Sequence, residues 1–178
     1  FSSQLSEIGV DPMQIDYLGV SHFHSDHVGN ANLFKNSALI IQKEEHTAAF
    51  SENATKFGFD PSLYEQINRE KIMVIEGDKD VFGDGSVIVK RAVGHTPGHQ
   101  VLFVNLKETG PVVLSGDLYH FTKNRTHKRV PSFNFDKEQT LSAMEDIEKF
   151  VTGKKAKLWI QHDKEQNQTL NHSPDFYR

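Results

Sequence analysis

Residues 21–30 read SHFHSDHVGN and place His22, His24, Asp26 and His27 within six positions. Imidazoles and carboxylates are costly to bury without partners. Four of them this close, directly after the strand-like stretch Tyr17–Ser21, call for a fold that gathers them around something. In an extended segment residues two apart point the same way, so His22 and His24 share a direction. A turn at Ser25 swings Asp26 and His27 to a second position close by. Two such sets of nitrogen and oxygen donors suit zinc or a neighbouring first-row metal. A polar loop that happens to be rich in histidine is the competing reading, and for any one of the four alone it is the better one.

More candidates stand at the ends of strand-like runs. Asp117 follows Pro111–Leu114, His162 follows Ala156–Gln161, and His99 ends the turn GHTPGH just before Gln100–Leu106. Ligands on strand ends from distant parts of a chain can converge on one rim of a sheet. Short apolar runs alternate with helical stretches, the rhythm of a layered α/β fold. Further strands are expected at Ala38–Gln42, Lys71–Ile75 and Ser86–Ala92, with GDG at 83–85 as a hairpin turn. Helical patterns cover residues 2–8, 28–34, 44–50 and 62–69. The clearest helix spans 137–151, capped by Asp136 with Gln139 in the reciprocal position and stopped by Gly153. Leu118–Phe135 has no regular pattern, and loops of that length are usually functional or mobile.

Composition narrows the classes. The 178 residues suit a single domain over 1–178. A net charge of -4 offers nucleic acid no general attraction, and no apolar run approaches the ~20 residues of a membrane helix. Cysteine is absent, which excludes disulfides, thiolate zinc sites and cysteine nucleophiles. Compartment stays open between cytoplasm and periplasm or secretion.

The set H-x-H-x-D-H at 22–27, GHTPGH at 94–99, SGD at 115–117 and the strand-end His162 resembles the metallo-β-lactamase superfamily. The resemblance implies an αββα sandwich of the α/β (α+β) class, with a dinuclear site of two divalent metals, zinc, between its sheets. Carried over by motif, His22, His24 and His99 bind the first ion, Asp26, His27 and His162 the second, and Asp117 bridges both. In the family several strands precede the first motif, so the expectation is a domain lacking its N-terminal strands. On that expectation the chain alone would be unstable or oligomeric. The implied chemistry is hydrolysis by a metal-activated water.

Within the superfamily, the common β-lactamase subclass uses a cysteine ligand, and the cysteine-free subclass lacks the bridging aspartate. Glyoxalase II-like thioesterases carry a helical domain after the last histidine, where sixteen residues follow His162 here. Flavodiiron-type reductases have glutamate in the place of His24, and the tRNA-processing members need an RNA-binding arm. The N-acyl-homoserine lactonase branch is the nearest resemblance. It implies a lactonase acting on a small molecule, with another ester, thioester or phosphoester hydrolase as the alternative and a β-lactamase or a non-catalytic binding module behind that. A homodimer is left open. In that branch a tyrosine three residues after the bridging aspartate positions the lactone; here that place is His120, with Tyr119 one earlier. Asp26, Asp117, Tyr119 and His120 are therefore the expected catalytic residues. His95 reads as a turn residue or as a support behind the ligands, without a metal role of its own, and His46 and His172 as surface residues. The basic run at 123–129 reads as a solvated loop from which Arg125 could reach a substrate.

Overall fold

In β2 (Ala38–Gln42), Leu39 and Ile41 turn to one side and Ile40 to the other, and all three are buried. A strand covered on both faces belongs inside a parallel sheet. In the computed structural model, which describes residues 1–178, β2 lies between β1 (Tyr17–Gly19) and β3 (Ile72–Ile75), parallel to both. A second sheet has the order β4 (Lys79–Asp80), β5 (Val87–Arg91), β6 (Gln100–Leu106), β7 (Gly110–Leu114), β8 (Lys157–Trp159). Its first four strands are antiparallel neighbours; β8 returns parallel to β7. The expected hairpin joins β4 to β5, with Asp80 accepting the N–H groups of Gly83 and Gly85.

Each sheet is covered on one face by helices. Leu39 and Ile41 pack with Ala48 and Ala49 of α3 (Lys43–Ala49), while α1 (Ser2–Glu7) has no buried residue and α2 (Ser25–Val28) adds Val28. On the second sheet Val101, Phe103, Val113 and Leu158 pack against Met144, Ile147 and Val151 of α5 (Lys137–Lys154). The remaining faces meet along a cleft lined by Gly19, Val89, Leu102 and Leu114. Val112 is buried as expected; Leu114, on that cleft, keeps 39% of its surface exposed. Gln100 ties the sheets together: its side-chain amide donates to the carbonyls of Val20 (2.8 Å) and Ile40 (3.0 Å).

Three expected elements differ. Residues 62–69 form no helix, because Asp60 and Asn68 cap separate short turns at Pro61–Leu63 and Arg69–Lys71, while Tyr64 and Ile67 drop into the core. Residues 118–135 contain a helix, α4 (Thr122–His127), whose first N–H is taken by Asp163, 2.7 Å away in the segment leading to α6 (Lys164–Asn167). Helix α5 runs through Gly153 and stops where Lys155 turns left-handed at φ 54°. The segments after β1, β5, β7 and β8 all open on one rim.

Candidate metal centre

Along that rim two groups of imidazoles face one carboxylate. In the first, His22 Nε2 lies 2.9 Å from His24 Nδ1, which lies 3.1 Å from His95 Nε2. Asp117 Oδ2 is 3.3 Å from His95 Nε2 and 4.0 Å from His22 Nε2. In the second, Asp117 Oδ1 is 3.1 Å from both His27 Nε2 and His162 Nε2. Asp26 Oδ2 stands 3.5 Å and 3.4 Å from those same nitrogens. Four ligands at ~2.0–2.1 Å around a tetrahedral zinc lie ~3.3 Å from one another, so these separations fit ligand edges. Nε2 of His27 and Oδ1 of Asp117 are buried with no hydrogen-bond partner, an arrangement a cation would satisfy.

The outward nitrogens are held so that the inward ones keep their lone pairs. Ser21 Oγ meets Nδ1 of both His22 (3.1 Å) and His27 (3.0 Å). His24 Nε2 donates to the Phe57 carbonyl (3.1 Å), and His95 Nδ1 to Asn134 Oδ1 (3.0 Å). Such partners fix the tautomer and ring plane of metal-binding histidines. Burial pushes His22 well below its ordinary value, lowers His24, and takes His95 down to about 4. These rings are therefore neutral near pH 7, the form that binds a metal. Burial alone would raise the Asp117 carboxyl, but the imidazoles of His120, His27 and His22 facing it hold it well below the usual carboxylate range.

Six of the seven expected ligands, His22, His24, Asp26, His27, Asp117 and His162, meet here, and the seventh is corrected. His99 spends both ring nitrogens elsewhere: Nδ1 donates to the Ala92 carbonyl (2.9 Å) and Nε2 accepts the Asp117 N–H (3.0 Å). Gly116 allows that approach, since a Cβ there would stand 2.7 Å from His99 Nε2. His95, expected to have no metal role, turns Nε2 into the first group instead. Of the catalytic candidates, His120 lies at the site, with Nε2 3.2 Å from Asp117 Oδ2 and its ring stacked on His162. Tyr119 does not: its side chain turns inward, and its hydroxyl donates to Glu148 (2.9 Å). Arg125 is also spent on Glu148, through Nε (2.7 Å) and Nη2 (2.9 Å), and so does not reach over the rim. His172 is exposed as expected, while His46 is half-buried against Phe50.

Sequence reasoning missed Ser21, Asn134 and Glu45. Glu45 is the one with a visible signal, because it shares a helix face with Ala48 and Ala49, three and four residues on. Two aromatic side chains, Phe121 (52% exposed) and Phe133 (68% exposed), wall the opening of the site.

Comparison with known proteins agrees with this geometry. The profile of the Metallo-beta-lactamase superfamily matches residues 1–154. An N-acyl homoserine lactonase of a Bacillus species is 34% identical over 173 residues, 97% of this chain and 65% of that protein. The lactonase AttM of Azorhizobium caulinodans is 26% identical over 98% of this chain and 68% of its own length. A crystal structure of a quorum-quenching N-acyl homoserine lactone lactonase superposes with a TM-score of 0.86 at 29% identity, covering 99% of this chain and 70% of that one. Another, of an N-acyl homoserine lactone hydrolase with N-hexanoyl-L-homoserine bound at its catalytic metal centre, gives 0.84 at 29% identity over 98% and 66%. The chain thus spans about 65% of the length of the first of these relatives. Fold, ligand geometry and profile converge, and the chain belongs to the metallo-β-lactamase superfamily.

Proposed function

We propose that this chain carries the dinuclear centre of a metal-dependent lactonase acting on small lactones of the N-acyl-homoserine kind. The observation that carries the reading is Asp117, whose two oxygens face two separate histidine groups. His22, His24 and His95 would hold one divalent ion, Asp26, His27 and His162 the other, and Asp117 would lie between them. Zinc suits these nitrogen and oxygen donors. Two such ions supply a water of lowered pKa as nucleophile and polarise the carbonyl it attacks.

The protein's own groups do the rest. His120, whose Nε2 is 3.2 Å from Asp117 Oδ2, would hydrogen-bond the substrate's carbonyl oxygen as it gains charge. Asp26, whose side chain is 57% exposed, would take a proton at the carboxylate oxygen not given to the ion. Phe121 and Phe133 offer an apolar wall to a substrate's acyl chain, and the lactonase relatives support a lactone as the head group.

Zinc analysis of metal-replete protein, with hydrolysis assays on lactones, β-lactams, thioesters and phosphodiesters, tests this. The expected result is two zinc ions per chain and lactone turnover above the other classes. One ion or none ends the dinuclear reading; rapid β-lactam turnover without lactone turnover ends the lactonase one.

A further inference from the structure

Glu45 is 1% exposed on α3, and no cation pairs with it. A carboxylate so buried is costly unless its oxygens are well supplied with donors. Three donors reach it. Oε1 accepts the Phe23 N–H (3.0 Å), and Oε2 accepts the Thr96 hydroxyl (2.7 Å) and the Gly98 N–H (2.8 Å). Phe23 stands between His22 and His24; Thr96 follows His95. One segment leaves β1 of the first sheet, the other leaves β5 of the second. Residue 98 must be glycine for this contact, because a Cβ would collide with the Glu45 backbone nitrogen.

We propose that Glu45 is the positioning residue of the centre, a clamp that sets the His22–His24 segment against the His95 segment so that their three ring nitrogens converge. The clamp acts through two backbone N–H groups and the Thr96 hydroxyl, touching neither substrate nor ligand atoms, and it rests on the cluster's being a metal centre. It bears most directly on the His22, His24 and His95 group. His162 is held from a different segment, after β8, so its position should be insensitive to Glu45.

Glu45→Gln tests this. The amide offers one acceptor oxygen and one nitrogen, so either Phe23 N–H or Gly98 N–H is left facing an NH2 group. Zinc titration of the full chain should show one of two sites weakened by about 10–100-fold, with the other weakened less. Glu45→Asp, which keeps the charge but withdraws the carboxylate, should recover affinity only in part. Thr96→Val removes a single donor and serves if Glu45→Gln fails to fold; its loss should be smaller and confined to the same site. A second readout needs no metal. In chelated protein the imidazole NMR signals of His22, His24 and His95 should shift or broaden in Glu45→Gln, while those of His120 and His162 stay. Equal weakening of both sites, or lost thermal stability with unmoved imidazole signals and unchanged affinity, would make Glu45 an ordinary buried polar group and overturn the clamp. Failure of the parent protein to bind zinc would instead count against the proposed function, and the imidazole signals would still decide the clamp.

Discussion

A carboxylate shared by two histidine groups tolerates little change. Asp117→Asn leaves one acceptor oxygen and points an NH2 group at the other set of nitrogens. Metal content should fall below two ions per chain, and turnover should drop by more than the ~10–100-fold typical of supporting partners; elemental analysis and lactone kinetics check both. His95→Ala should likewise leave one zinc or fewer. His99→Ala should retain two at saturating zinc while losing ~1–3 kcal/mol of stability, because the Asp117 N–H and the Ala92 carbonyl are orphaned. His120→Ala should keep its metals and lose ~10²–10³ in kcat on a good lactone. Why one histidine of GHTPGH serves the site and the other its frame was not legible in the residues. Both sit in one turn, and the choice is made by contacts from far away, Asn134 on His95 and the Asp117 backbone on His99. The H-x-H-x-D-H cluster was legible because its spacing acts locally.

Among the elements, strands with alternating or doubly buried apolar residues matched expectation closely: Ala38–Gln42 and Gln100–Leu106 agree end to end. So did the start of α5, where Asp136 accepts the Gln139 N–H at 2.9 Å. Its end did not, since Lys155 takes the left-handed turn and Gly153 remains helical. Helix α4 escaped because its anchor, Asp163, lies beyond α5 in the chain. That helix and α5 are joined by Glu148, which receives Tyr119 and Arg125 together, and burial with the neighbouring Glu148 charge drives the Tyr119 phenol far up. Tyr119→Phe should therefore cost ~0.5–1.5 kcal/mol in thermal or denaturant unfolding and leave lactone turnover per folded molecule unchanged. Lost turnover at unchanged stability would place the phenol at the chemistry after all.

At the scale of the whole molecule, the ligand groups join the two sheets at a rim where Gln100 already stitches them. Metal bound there favours the folded chain over the unfolded by an amount set by mass action, ~4 kcal/mol at a free concentration a thousandfold above Kd. Chelation should lower the melting temperature accordingly, and graded zinc should restore it; a chelator-insensitive Tm would separate the centre from stability. The layered class was readable from the rhythm of apolar runs, whereas the meeting of the two sheets depends on side chains such as Gln100 whose partners no local pattern announces.

The ligands also have an order in time. His22, His24 and His95 are all made before β6 is complete, while the partner of Asp26 and His27, His162, follows α5 and β8 near the end of the chain. During synthesis the first histidine group can assemble around the Glu45 contacts while the second is still one imidazole short. If the centre is dinuclear as proposed, a nascent chain would acquire its ions in sequence, the inner one as an early staple and the outer one as a late seal.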